Sequence, residues 1–175
     1  MSVWDTIVRE AEGESPLWSQ ALLPSTERSP VPVFSPLADP RFALGLESIY
    51  EGYLLHYGRP RLFARADRDT AILLGDYLYA HGLVRIAALG EVTVVSDLAE
   101  LLSLCAHVRA ERRRGDGPAW AATVALLGLD DGRLDDARRA LRERGDETPL
   151  ESAAAGAAGR DSVARALALH RDRVD

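Results

Sequence analysis

Lysine and asparagine are missing from this sequence of 175 residues, and all 21 basic side chains are arginine. Without lysine, no Schiff base can form and no GxxxxGK[ST] phosphate loop can be built. A single cysteine, Cys105, excludes an internal disulfide framework and any cysteine-based zinc cluster. The four histidines are scattered, with no HxxxH or HExxH spacing, so zinc is not expected. GxSxG and GxGxxG are absent too, and Cys105 has no activating partner nearby in sequence. The longest nearly apolar stretch, "PAWAATVALLGL", falls short of the roughly 20 residues needed to cross a bilayer. The start, "MSVWDTIVREAEGE", lacks the basic segment and apolar block of a secretory signal, so a soluble, cytoplasmic chain is expected. A net charge of −6 argues against general nucleic-acid binding, which depends on neutralising phosphates.

What remains is ordinary globular material, 47% hydrophobic and 27% charged, long enough for one domain with a proper core. Helix signals dominate. Ser2 can cap a short first helix carrying Val3, Trp4, Ile7 and Val8, and Ser15–Pro16 can start a second through Leu23. Prolines at 24, 30, 32, 36 and 40 then forbid a helix and suggest an extended arm over the surface. Asp39 and Pro40 open a third helix, which Gly58 and Pro60 stop; its apolar side chains recur at three- and four-residue spacing. Asp67 or Asp69 starts the next, "TAILLGDYLYAHGLVRIAALG", which is apolar on nearly every side and reads as the central helix. Further helices are expected from about Val92 to Arg114, Pro118 to Leu127 and Leu134 to Arg144. The tail has weak amphipathic order and suggests fraying or loose docking. The expectation is an all-α helical bundle: residues 1–38 as N-terminal helices and arm, 39–145 as the core bundle and 146–175 as a helical tail.

The chemistry-bearing candidates lie on the third and fourth helices. In "GLESIYEGYLLHYGRP" (45–60), Glu47 and Glu51 stand one helical turn apart. They are placed to share one Mg²⁺ or to face water on a solvated helix edge. Asp76 lies among apolar residues, where a carboxylate needs a partner to offset desolvation. His81 and Arg85 follow on the same helix, and His56 and Arg59 flank the third helix's end; all are candidate ligand or structural polar residues. "ERRRG" at 111–115 suits the negative end of a helix dipole or a phosphate. In "LDDGRLDDARRALRERG", Asp130 and Asp131 look like a turn, and Asp135 and Asp136 suit a helix's first turn.

Two of these stretches carry a resemblance. "AILLGDYLYAHGLVRIAALGE" is similar to the "AxLLGDxLLxxA" helix of trans-type isoprenyl (polyprenyl) diphosphate synthases, with Gly75–Asp76 in the characteristic place. "HYGRPRLF" resembles the "RRGxPT" loop after that family's first aspartate-rich motif. In that alignment the family's first DDxxD falls on "ESIYE", placing Glu47, Ser48 and Glu51 where aspartates coordinate Mg²⁺. His56 and Tyr57 stand in place of the two arginines, the second DDxxD is missing, and the family's diphosphate-binding lysines have no counterpart. The resemblance covers residues 44 to about 110, under half the chain. It is strongest to the small, non-catalytic subunit of heptaprenyl-type synthases, whose "LAGDYxxxxYxxLL" helix "LLGDYLYAHGLVRIA" approaches.

The resemblance implies no catalytic residue and no cofactor, with Mg²⁺ entering only if the degenerate pair Glu47 and Glu51 is active. It implies a catalytic prenyl diphosphate synthase as hetero-oligomeric partner, in quinone side-chain synthesis; self-association is the other use of a leftover apolar face. Two other readings stand beside it. One is a helical interaction module unrelated to isoprenoids, and the other a reduced-site Mg²⁺-dependent isoprenoid enzyme.

Overall fold

The computed structural model describes residues 1–64 and 67–174, and the chain is an all-α bundle. The helices are α1 (Val3–Glu14), α2 (Pro16–Ala21), α3 (Ala43–Tyr57), α4 (Arg68–Ala87), α5 (Val92–Ala110), α6 (Asp116–Ala125), α7 (Gly132–Arg144), α8 (Thr148–Ala158) and α9 (Arg160–Val174). Two 3-10 turns, Ser35–Leu37 and Pro40–Phe42, lead into α3. The expected caps form. The Ser2 hydroxyl accepts from the Asp5 N–H while the Asp5 carboxylate accepts from the Ser2 N–H, a reciprocal capping box. Asp67 caps α4. Asp131, read from sequence as a turn residue, instead caps α7, which starts at Gly132 and ends at Gly145, φ +68, in the left-handed region. Helix α5 stops at Ala110 rather than Arg114, because Arg112 turns to φ 54 and the Arg113 N–H bonds back to the Val108 carbonyl at 2.9 Å.

The central helix is α3, not α4. Every residue from Gly45 to Leu55 is buried, whereas α4 buries only Leu74, Gly75, Leu78, Gly82 and Ile86. The two helices meet backbone to backbone through paired glycines. A Cβ at Gly52 would lie 2.7 Å from the Gly75 carbonyl oxygen, and one at Gly82 would lie 2.8 Å from that of Gly45. The pairs 45/82 and 52/75 run in opposite directions along the chain, so the helices are antiparallel, with a seven-residue glycine repeat on each. This contact uses one narrow stripe of α4 and leaves its far side uncovered, so hydropathy alone overstated how deeply α4 is buried.

The arm before α3 runs mostly over the surface, as expected, but Val33, Phe34 and Ser35 turn into the core. Phe34 is 2% exposed, stacks on Trp120 with centroids 5.5 Å apart, and meets Tyr50 edge-on at 5.2 Å. The tail is docked too: Leu150, Ala154, Val163 and Ala166 join the same apolar cluster. A second cluster packs Ile7, Val8 and Ala11 of α1 against Leu62, Phe63, Leu74 and Leu78. No helix among the described residues is long and apolar enough to cross a membrane.

Candidate functional site: a closed ionic cluster and an open apolar helix

Glu47 and Glu51 lie one turn apart on α3, at 2% and 0% exposure, with the guanidinium of Arg61 between them at 0%. Gly58 and Pro60 end the helix and turn the chain back, which carries Arg61 alongside the helix it has just left. Arg61 Nε donates to Glu51 Oε2 at 2.8 Å and Nη1 to Glu47 Oε2 at 2.6 Å. Nη1 also reaches the Val31 carbonyl at 3.0 Å, and Nη2 the Glu47 carbonyl at 3.3 Å. The rings of Trp4 and Tyr50 face the guanidinium carbon at 4.7 and 5.0 Å.

Two carboxylates against one arginine leave one negative charge, which neutral donors stabilise. The backbone N–H groups of Arg61 and Leu62 donate to Glu51 Oε1 at 2.7 and 2.8 Å, and the Ser35 hydroxyl donates to Glu47 Oε1. Burial disfavours the charge on Arg61, but Glu51 and Glu47 outweigh it and hold its pKa above the ordinary arginine value. Both sequence expectations for the pair are corrected here. The carboxylates are not on a solvated edge, and all four oxygens are already bonded, so a Mg²⁺ ion would have to displace Arg61. Among the described residues no group of three or more His, Cys, Asp or Glu side chains is placed to hold a metal.

The remaining candidates do not converge with this pair. Asp76 is exposed, not embedded: its side chain is 66% accessible and stands 3.1 Å from His56 Nε2. It falls on the solvent side of α4 because the adjacent Gly75 is the residue packed against α3. His81 packs on Tyr77, ring centroids 4.1 Å apart, and Tyr77 packs on Trp18. Arg85 donates to the Ser48 hydroxyl at 3.0 Å and pairs with Glu10, tying α1, α3 and α4 together. Arg59 serves the end of α9, its N–H donating to the Arg173 carbonyl at 2.9 Å and its guanidinium to that of Asp172. Cys105 is buried among apolar residues, and burial pushes its thiol pKa up, away from nucleophilic use.

A second polar cluster joins α3, α5, α6 and α9. Asp116 Oδ2 accepts from the Tyr53 hydroxyl, from Arg109 Nη2 at 2.5 Å and from His170 Nε2 at 3.3 Å, while His170 Nδ1 meets the Tyr50 hydroxyl at 2.9 Å. Burial would raise the Asp116 pKa, but hydrogen bonds from His170 and Tyr53 and the charges of His170 and Arg109 hold it well below the carboxylate range. Burial pushes the Tyr50 and Tyr53 phenols above their ordinary value, so both remain protonated donors. A cavity of about 180 Å³ beside Asp116 is walled by charges of both signs, Arg109, Arg113, Arg114 and Arg171 against Asp116, Glu147 and Glu151. The cluster holds no nucleophile; it fixes the docked tail to the core.

Sequence reasoning missed Arg61, the Asp116–His170 contact and the glycine pairs. An arginine ten residues beyond Glu51, just past a helix-ending Gly and Pro, was a usable signal for the first. The glycine repeats were also visible, as two seven-residue spacings on consecutive helices. Nothing local connects Asp116 with His170, 54 residues away.

Alongside these closed clusters, α4 keeps an open face. Leu73 is 57% and Val84 67% exposed, with Ala80 and Ala87 exposed on the same side. Beyond the helix end, Leu89 and Val92 are 45% and 80% exposed. Fold and sites together define an all-α protein with a saturated Glu47–Glu51–Arg61 cluster, a second buried polar cluster around Asp116 Oδ2, and exposed apolar side chains on the outward side of α4. Comparison with protein-family models, curated proteins and solved structures finds no match to this chain.

Proposed function

We propose that this chain is a non-catalytic helical subunit that covers a partner protein with the outward face of α4. The partner to which the sequence resemblance points is a catalytic prenyl diphosphate synthase of the cytoplasm, which the subunit stabilises and whose product length it helps set, for quinone side chains. One observation carries the reading: Leu73, Ala80, Val84 and Ala87 stay open to solvent along one side of a twenty-residue helix, with Asp76 the exposed charge between Leu73 and Ala80. Exposed apolar side chains gathered on one side of a helix favour an interaction surface. The closure of Glu47 and Glu51 on Arg61 supports the non-catalytic half of the reading, since the oxygens that resemble metal ligands are occupied. The same α4 face also suits an interaction module with an unrelated partner, and the two readings separate on the partner's identity.

Co-expression with the prenyl synthase encoded in the same genome, followed by size-exclusion chromatography, tests the proposal. A stable complex that makes longer products than the synthase alone is expected. Two separate peaks would remove the isoprenoid partner. Calorimetric titration of the isolated chain with Mg²⁺ and farnesyl diphosphate should give no binding heat, and a saturable signal would favour an enzyme.

A further inference from the structure

A cleft of about 860 Å³ opens where the end of α3, the first turn of α4 and the end of α9 meet. Its charged walls are all cationic: Arg59, Arg68 and Arg173, with His56 at one side, in a protein of net charge −6. Leu55, Pro60, Ile72 and Val174 supply apolar surface. Arg59 is placed by the carbonyls at the end of α9, and Arg173 Nη2 by the Ser29 hydroxyl at 2.6 Å. Among the described residues no such bond engages Arg68. It stands in the first turn of α4, where the helix dipole disfavours a cation. Among the described residues no carboxylate lies within the 4.0 Å ion-pair distance of these three arginines. Burial, and then the neighbouring charge of Arg61, lower the pKa of Arg173, and an anion in the cleft would favour its charged form.

We propose that this cleft is a docking groove for an acidic peptide segment of a protein partner, with carboxylates on the arginines and an apolar side chain on Ile72. A single phosphate fits less well. Arg59 and Arg173 come from different segments, and one amino group of each is already engaged, by the Asp172 carbonyl and by the Ser29 hydroxyl. The volume also matches sites that hold much larger ligands, roughly 300–1,000 Å³. A peptide carrying several carboxylates at strand spacing meets separated arginines and an apolar wall together. This inference is independent of the partner being a prenyl synthase.

The test is fluorescence anisotropy of the full chain with a labelled octapeptide alternating glutamate and leucine, against its glutamine counterpart. The acidic peptide is expected to bind, to weaken as salt rises, and to outcompete the neutral one. Arg68→Gln should weaken it about threefold and Arg68→Glu at least about tenfold, in line with exposed ion pairs lost and then reversed. Ile72→Gln should weaken both peptides, and Val84→Glu on the α4 face should change neither. Thermal melts of the Arg68 variants should match the parent or rise slightly, because among the described residues that side chain makes no hydrogen bond or ion pair and the helix dipole disfavours its charge. Equal binding of the two peptides, or no response to Arg68→Glu, overturns the proposal. So does binding of pyrophosphate or of phosphatidylglycerol vesicles with no binding of the acidic peptide.

Discussion

Replacing Arg61 by methionine isolates the ionic cluster on which the α3 core rests. The substitution keeps an unbranched apolar stem but removes four donated hydrogen bonds and the cation between Glu47 and Glu51. Two carboxylates at 2% and 0% exposure are then left against backbone N–H groups and one hydroxyl. Breaking a buried pair in this way costs about 3–5 kcal/mol, because the abandoned charge cannot reach water. Against a total stability of roughly 5–15 kcal/mol that is a large share, and for a chain of this size it lowers Tm by about 6–20 °C.

The loss should also depend on pH, with a defined sign. Without Arg61 the penalty belongs to the ionised carboxylates alone, which are buried with no cation beside them. In acid, where carboxyls are protonated, the penalty is small. Towards neutral pH the unfolded chain ionises freely in water while the folded one resists, so the variant's stability falls relative to the parent, by up to about 1.4 kcal/mol per pH unit per carboxyl. Urea denaturation at pH 4 and pH 7 measures both effects. The triple variant Glu47→Gln, Glu51→Gln, Arg61→Met should recover most of the pH 7 loss. An Arg61→Met protein within about 1 kcal/mol of the parent at pH 7, or one whose deficit is the same at both pH values, would refute the reasoning.

Glycine substitutions should separate by site. Gly52→Ala pushes a methyl to 2.7 Å from the Gly75 carbonyl and should destabilise by about 1–3 kcal/mol, whereas Gly156→Ala in α8 meets nothing within 4 Å and should stabilise by up to about 1 kcal/mol, both read from denaturant midpoints. Asp116→Asn should cost about 1.5–3 kcal/mol at neutral pH. Because the folded Asp116 pKa is depressed, its contribution is present above the unfolded value near 3.9, so the difference from the parent should shrink as pH falls below that. Val84→Glu, at a position 67% exposed, should leave the melt within about 0.5 kcal/mol yet abolish co-elution with the partner.

The all-α class was legible because caps, proline positions and apolar spacing act over a few residues. Ser2, Ser15 and Asp67 begin helices for reasons contained in their own neighbourhoods. Burial of α4 was misjudged because hydropathy reports what a helix can bury, not how many neighbours it has. Asp76 then looked like an expensive buried charge, whereas it lies on the uncovered side. The tail was underestimated for the opposite reason: its anchors, Tyr50 and Asp116 on His170, lie on other helices.

The carboxylate pair separates the two levels most clearly. The sequence by itself determined that Glu47 and Glu51 share a helical face, since a 3.6-residue turn admits no other arrangement at that spacing. Tertiary structure alone decided what they face. The turn after Gly58 brings Arg61 back between them and closes the site, while paired glycines draw α4 against α3 and leave its apolar side open. Contact across the fold depends on where the chain returns, and side-chain periodicity carries no record of that.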